Sequence, residues 1–161
     1  MSYQIQKKMA EAIKSVLAYG QTFVAEENIQ INRDTTLATV PRYEIEVGSV
    51  AKASDQMVFV ATDAAGWVFS HFTVEAEVSL ITERESGVDH SAAVARTRWL
   101  FSRQAQLFTE PHLSGFEVLG LQPTAETQEV NADAREDATK LAFRFEVGML
   151  ASGYVTPSSG G

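Results

Sequence analysis

Two pairs of glutamates are the residues whose type and spacing come nearest to supporting catalysis. Glu75 and Glu77 lie two residues apart in a run of alternating apolar and polar side chains, and Glu44 and Glu46 repeat this spacing in an earlier run. Because successive side chains of a strand point to opposite faces, each pair presents both carboxylates on one face. Paired carboxylates can divide the general acid and base roles. A solvent-exposed strand face has the same composition, and we expect that second interpretation to hold.

A polar segment at 124–139 is a candidate for binding a divalent cation. It lacks the D-x-D-x-D-G spacing of a calcium loop. Its length predicts instead a solvated loop or a loop that reaches a neighbouring subunit. The charged residues of this segment that we name as interface candidates are Glu126, Glu129, Asp133, Arg135, Glu136 and Asp137.

The histidines give no metal-binding pattern. His71, His90 and His112 lie in different predicted elements, and no two have the usual ligand spacing. His90 is interpreted as a core residue or a subunit contact. The sequence also lacks G-x-S-x-G, a phosphate-binding glycine loop and H-E-x-x-H. We therefore predict no catalytic residue, no metal site and no cofactor, and we expect that the protein is not an enzyme.

Composition excludes several further classes of protein. The 161 residues carry a formal net charge of −8, which argues against a protein whose main task is to neutralise nucleic-acid phosphates. Cysteine is absent, so disulfides and thiolate sites are impossible. There is no apolar run of the ~18 residues that a membrane helix needs, and no apolar h-region follows the lysines of 1–8. We expect a protein that is made in the cytosol and has no membrane partner.

The clearest predicted helix spans 2–19 and ends before Gly20. One apolar stripe runs along it, formed by Ile5, Met9, Ile13, Val16 and Leu17. Lys7, Lys8 and Lys14 lie outside this stripe. We expect them to form a solvated face, the alternative being a contact surface for an acidic partner.

Alternating patterns predict most of the remaining elements as strands. A strand at 67–80 is the longest, and its irregular start predicts a bend or bulge near 70–72. A tight turn at 62–66 joins it to the strand before it, which makes the sheet at least partly antiparallel. The other predicted strands lie at 28–32, 41–48, 57–60, 116–121 and 140–149. The segment 50–55 is predicted to be an exposed connection.

A second helix is predicted at 88–101, capped by Ser86 or Asp89. Its sheet-facing stripe is predicted to comprise Val88, Ala92, Ala95 and Trp99, with Leu100 and Ala93 beside them and Trp99 as the largest anchor. Together these elements predict an α+β fold with a mainly antiparallel sheet, an N-terminal amphipathic helix and a second helix packed on it. We expect one domain over 1–150 and a flexible C-terminal tail over 151–161.

The order of these elements resembles the tail terminator (tail completion) proteins of long-tailed bacteriophages. The resemblance lies in VEAEVSLITERESGVDHSAAVARTRWLF (Val74–Phe101), FEVLGL (Phe116–Leu121) and KLAFRFEVGM (Lys140–Met149). It implies a structural virion protein that forms a homohexameric ring at the head-proximal end of the tail, in the neck, as the head-tail connection. The implied partners are further copies of the chain, the tail tube protein and neck or connector proteins. DNA would pass through the lumen without sequence-specific binding.

If the resemblance holds, the faces with Glu44, Glu46, Glu75 and Glu77 would line that lumen, where negative charge repels phosphates. The 124–138 loop and the tail would pack on neighbouring subunits. The family offers no fixed catalytic residues. Three alternatives stay open: another neck or head-completion protein, a small enzyme or ligand-binding domain with a pocket near Trp67, His71 and Trp99, and an adaptor without a role in a virion.

Overall fold

A computed structural model describes residues 2–20, 24–31, 40–59, 66–84, 87–103, 116–131 and 135–150. Two α-helices and five strands are the main elements of this part of the chain. In chain order they are α1 (Ser2–Gly20), β1 (Ile29–Ile31), β2 (Arg42–Phe59), β3 (Gly66–Glu83), α2 (His90–Arg103), β4 (Phe116–Asn131) and β5 (Glu136–Leu150).

The five strands form a single sheet in the order β1-β2-β3-β5-β4. β1 runs parallel to β2, and every other neighbouring pair is antiparallel. Both helices contribute to the core cluster, which packs on one face of the sheet, and the other face carries the glutamates. The predicted fold class, α+β with a mainly antiparallel sheet, is confirmed. The boundaries at 150 and 151 stay a prediction, because 151–161 lie outside the described residues.

The predicted stripe of α1 is confirmed as the main helix contribution to the core. All five of its residues are at most 1% exposed, and α1 packs on β1 and β2. From β5 the core receives the alternating side chains Leu141, Phe143, Phe145 and Val147, as the sequence predicts. Each such large apolar side chain contributes about 1.5–3 kcal/mol on burial.

The predicted stripe of α2 is correct for Val88 and for the flanking Ala93 and Leu100, which contribute to the core, but wrong for its other three residues. Ala92 and Ala95 are exposed, and Trp99 remains 42% exposed. The buried stripe is shifted round the helix and consists of Ala93, Val94, Thr97, Leu100 and Phe101. Its anchor is Phe101, whose ring stacks on Phe143 with centroids 4.5 Å apart. The predicted Asp89 cap is present, since Ala92 N donates to Asp89 Oδ1 at 3.2 Å.

β2 continues where a break was predicted. The segment 50–55 is not a connection, because β2 pairs with β3 from Arg42 to Phe59. The register shifts between Val47 and Val50 and again between Lys52 and Ser54, which places extra residues in β2. The second shift lies opposite Phe72 and His71, so the irregularity belongs to β2, and the bulge predicted for β3 near 70–72 is wrong. These bulges disrupt the alternation from which strands are predicted.

The predicted 124–138 loop is also wrong. β4 runs to Asn131 and β5 begins at Glu136, so the segment belongs to a hairpin in which Asn131 pairs with Glu136. Arg135 adopts φ 53°, in the left-handed region that is uncommon outside glycine and typical of turns. Register shifts at Leu119 and Thr124, together with Pro123, hide the strand pattern of β4.

A buried amide in β1 gives a stability prediction. Gln30 is 6% exposed, and neither Nε2 nor Oε1 has a hydrogen-bond partner within the described structure. We expect Gln30→Leu to raise the free energy of unfolding by about 1–3 kcal/mol, because leucine removes the cost of a buried unsatisfied group. Denaturant unfolding measures this. The exposed Gln128→Leu is the control and should change little, whereas destabilisation by Gln30→Leu would contradict the prediction.

Candidate functional site

Four of the predicted site residues lie on the open face of the sheet, opposite the helices. Glu44 and Glu46 of β2 pair in register with Ser79 and Glu77 of β3, so their side chains point the same way as Glu75. The exposed acid pairs of the sequence therefore form one surface across two adjacent strands. We call it the open face.

Basic side chains of β5 interrupt the acidic charge of the open face. Arg144 Nη2 lies 3.5 Å from Glu75 Oε1, and Lys140 Nζ lies 3.6 Å from Glu77 Oε2. All four side chains are substantially exposed, so each pair contributes at most about 1 kcal/mol. The arrangement alternates charge rather than concentrating it, which the β2 and β3 sequences alone do not reveal.

A second ion-pair cluster lies towards the end of the open face near the β4–β5 hairpin. Arg42 Nε lies 3.5 Å from Glu44 Oε1, and Arg42 Nη1 lies 3.4 Å from Glu136 Oε2. These side chains are mostly buried, at 16–22% exposure. Arg42 thereby ties the start of β2 to the start of β5, two strands that are separated by β3.

At the first of these clusters the open face has a concavity of about 290 Å³. Glu46, Glu75 and Glu77 contribute its carboxylates, beside Gly48 and Thr124 at register shifts of the outer strands. Among the described residues no group of three His, Asp or Glu side chains lies in an arrangement that could hold a metal ion. Two of the three carboxylates of the concavity are paired with Arg144 and Lys140, so it is a shallow polar surface with only a small excess of negative charge.

Two further predicted site residues, Glu126 and Asp137, lie on the side of the sheet opposite the open face. Glu126 lies on the helix side of the sheet, where Arg98 Nε and Nη2 donate to its carboxylate at 2.6 and 2.9 Å. The hydrogen bond from Arg98 lowers the pKa of Glu126. Asp137 Oδ1 accepts from Arg84 Nε at 3.2 Å. Glu129 is exposed on β4 and pairs with Ala138, which places it on the open-face side of the sheet, and Asp133 lies outside the described residues.

The helix side of β4 borders an apolar groove of about 710 Å³ that was not predicted. α2 provides one wall through Trp99 and Phe101, and β4 provides the other through Leu121 and Pro123. Leu141 and Phe143 of β5 form its floor, and the Arg98–Glu126 pair crosses its rim. His71 is not among its lining residues, and the Trp67 side chain is outside the described structure. The predicted grouping of Trp99 with His71 is therefore not found in this groove.

A buried hydroxyl pair joins α2 to β2. Thr97 Oγ1 donates to Ala93 O at 2.8 Å, which leaves the Tyr43 hydroxyl to donate to Thr97 Oγ1 at 2.6 Å. Burial raises the pKa of the Tyr43 phenol far above its ordinary value, although the hydrogen bond to Thr97 and the charge of Arg96 act in the opposite direction. Tyr43 therefore stays protonated in the folded state at pH values where an exposed tyrosine ionises.

This raised pKa predicts base-sensitive stability. Below about pH 10 the phenol is protonated in both states, and its contribution to stability is constant. Above that pH the unfolded chain loses the proton while the folded chain keeps it, so stability falls by about 1.4 kcal/mol per pH unit until the folded-state pKa is reached. Unfolding measured at pH 9, 10 and 11 should show this slope, and Tyr43→Phe should remove it. Equal slopes in both proteins would contradict the prediction.

His90 joins α2 to two strands. Its Nδ1 lies 2.8 Å from Thr82 Oγ1 and its Nε2 lies 2.8 Å from Thr139 Oγ1. Both threonines are at most 1% exposed. His90 itself is half-buried and lies at the margin of the core, and its role as a subunit contact stays a prediction. The sequence did not predict Thr82 or Thr139 as partners of His90, because each looks like an ordinary polar residue of a strand.

Neither α-helix in the described ranges combines the length and apolar character needed to cross a membrane. No family model matches the sequence, and no curated protein matches it. Among solved structures, one chain from the "Virion of native gene transfer agent (GTA) particle" aligns with 91% of this chain and 92% of its own length, at 11% identity and a TM-score of 0.36. A likeness at this level carries no argument about function.

Proposed function

We propose that this chain is a non-catalytic structural protein of a phage-like virion that assembles with copies of itself. The observation that carries the proposal is the β4 edge. β4 is 16 residues long, pairs with β5 on one side, and has no strand partner on its other side within the described part of the chain. Long edge strands are templates for pairing with another chain unless they are blocked, and beyond Pro123 the run from Ala125 to Asn131 contains no proline and no register shift. Such an edge fits a protein that works inside an assembly.

The finer form of the proposal is a tail terminator. In it the chain forms a homohexameric ring at the head-proximal end of the tail and contacts the tail tube protein and neck or connector proteins. Its open face, with Glu46, Glu75 and Glu77 between Lys140 and Arg144, would face the lumen. A surface of alternating charge with an acidic concavity lets DNA pass without sequence-specific binding. Its location would be the virion, after assembly in the host cytoplasm.

The apolar groove favours a second candidate function, the binding of a small apolar ligand. Its volume of about 710 Å³ lies within the range of ligand sites, and one bidentate ion pair at the rim offers a polar contact. A thermal-shift screen with apolar metabolites distinguishes this candidate. A saturable rise in Tm that Trp99→Ala abolishes would support it through preferential binding to the folded state.

The direct test of the virion role uses particles from the organism that encodes the chain. We expect purified particles to contain the chain in a fixed, low copy number, as a ring component should. Deletion of its gene should leave heads and tails that accumulate separately, and restoring the gene should join them. Intact, fully joined particles that lack the chain would contradict the proposed function.

A further inference from the structure

β4 provides the one long, regular free edge among the strands that the structure describes. At the opposite edge of the sheet β1 offers only three residues. Beyond β1, the outer side of β2 is interrupted by register shifts at 47–50 and 52–54, and bulges of this kind discourage pairing with another strand. Along β4 the run from Ala125 to Asn131 has no such shift. Of the described strands of a second copy, only its β4 can therefore match this edge over a similar length.

The free edge is also open to solvent on both sides of the sheet. Every residue from Gln122 to Glu129 is exposed, whereas β5 beside it buries alternate residues. α2 packs on β5 through Phe101 and Phe143, and the apolar groove separates α2 from β4. A second strand can therefore approach β4 without displacing a described element.

The charges of β4 select the register of such a pair. Two copies of one edge strand pair antiparallel about a two-fold axis, and each residue must face one whose side chain lies on the same side of the sheet. The axis therefore passes through a single residue. At Glu126 or Glu129 it would place a carboxylate opposite its own copy, which is destabilising. At Gln128 it would leave the two Glu129 side chains as diagonal neighbours on the open-face side.

An axis at Thr127 avoids these contacts. It places Glu129 opposite Ala125 of the second copy, and the two Thr127 side chains face each other, which is a favourable cross-strand pair. The two Glu126 side chains become diagonal neighbours on the helix side, where Arg98 of the same copy already holds each of them in a bidentate ion pair. No two carboxylates of the run are then neighbours without a cation.

The pairing also brings the two apolar grooves together. β5 and its copy would be separated by three strand spacings, about 14 Å. Since α2 packs on β5, the two α2 helices lie a similar distance apart, which exceeds the roughly 8–10 Å of directly packed helices and avoids a clash. Trp99, which is 42% exposed in a single copy, lies in the wall of the groove and faces the space between the helices. Its burial would add apolar area to the strand contact.

From these features we infer that β4 pairs antiparallel with β4 of a second copy, about a two-fold axis at Thr127, and joins the two five-stranded sheets into one. This axis is perpendicular to the sheet, so both open faces lie on the same side, as lining a shared lumen requires. A two-fold contact stops at two copies, and the expected six-copy assembly therefore contains three such pairs joined through a second contact. The inference rests on the proposed self-assembly and assigns the surface that performs it.

Cysteines placed along β4 test the pairing, since the chain has none of its own. In T127C the two thiols lie at the axis, and the Cα atoms of facing residues are about 4.5–5.5 Å apart, within the span of a disulfide. Mild oxidation should produce covalent dimers at least tenfold faster than for Q122C, the matched control, which is exposed on the same side of β4 but far from its own copy. A125C and E129C should each react slowly alone and link rapidly when mixed, because these two positions face each other.

Charges at the axis give an independent readout. T127E and T127K each place like charges opposite one another, so we expect each variant alone to self-associate about threefold to tenfold more weakly than the unchanged protein in sedimentation. An equimolar mixture should recover the loss, because glutamate then faces lysine. Q122E is the control and should associate normally, and circular dichroism verifies that every variant is folded.

The outcomes separate this contact from the proposed function. If the unchanged protein assembles but T127C links no faster than Q122C and the charged variants associate normally, the β4 pairing is wrong and the proposed self-assembly stands. If the unchanged protein is monomeric at every concentration, self-assembly itself fails. If the variants behave as described and no species larger than a pair forms, the pairing is confirmed and the six-copy ring is contradicted.

Discussion

Phe145→Ala is expected to lower the free energy of unfolding by about 3–5 kcal/mol, the usual cost of truncating a buried phenylalanine. Phe145 is 0% exposed and lies in β5, between Val74 of β3 and Leu121 of β4 in the pairing register. Its ring also contacts that of Phe143, with centroids 6.1 Å apart. The substitution leaves a cavity at the junction of three strands, where surrounding backbone cannot collapse without breaking the ladder.

Such a loss is a large fraction of the 5–15 kcal/mol that stabilises a typical domain. Guanidinium unfolding measures it. Leu119→Ala is the matched control, because Leu119 is also apolar but lies 43% exposed at a register shift of β4. Its effect should stay within about 0.5 kcal/mol. A cost below about 1 kcal/mol for Phe145→Ala would show that the described core is not the folded core.

His90→Ala is expected to have the second-largest effect. It removes the hydrogen-bond partner of Thr82 and of Thr139, two hydroxyls that are buried beneath the start of α2. Leaving a buried hydroxyl without a hydrogen-bond partner costs about 1–3 kcal/mol, and the substitution leaves two such hydroxyls. The same denaturant series measures the loss.

A triple variant separates lost hydrogen bonds from lost packing. In H90L/T82V/T139V every polar group of the cluster is replaced by an apolar group of similar size. Replacing all partners is far less costly than removing one, so this variant should recover most of the stability that His90→Ala loses. If the triple variant is as unstable as His90→Ala, the hydrogen bonds are not the cause.

The sequence predicted elements whose pattern is regular. α1 and β5 follow one period without interruption, so the side chains that they bury were predicted, whereas β5 begins at Glu136 rather than at the predicted residue 140. β2 and β4 were predicted only in part, because register shifts at 47–50, 52–54, 118–120 and 123–125 move side chains out of alternation. β2 and β4 remain continuous past these shifts because they pair with β3 and β5. Such long-range pairing cannot be predicted from the local sequence pattern.

The α2 error has a specific cause. Thr97 occupies the centre of the buried stripe, and its polarity made the alternative stripe through Trp99 look more apolar. The hydroxyl is accommodated because Tyr43 and Ala93 bond to it. A helical spacing of four, three and one through Ala93, Thr97, Leu100 and Phe101 is the signal that would have found the correct face. It would also have placed Trp99 outside the core and so pointed to the groove.

For the candidate site, the sequence predicted which side of the sheet carries the glutamates but not which basic residues lie beside them. Alternation correctly placed the four glutamates of β2 and β3 on a polar face. It gave no information about Lys140 and Arg144, whose positions beside Glu77 and Glu75 depend on β5 pairing with β3. Glu126 was grouped with Glu129 as loop charge, whereas strand geometry sends Glu126 to the helix side and into contact with Arg98.

The mass of the protein in solution tests self-assembly, the central claim, most directly. Native mass spectrometry and light scattering over a wide concentration range, at low and physiological salt, would provide it. We expect a discrete assembly of six copies of the 17.6 kDa chain. A protein that remains a monomer at every concentration and salt level would contradict the account.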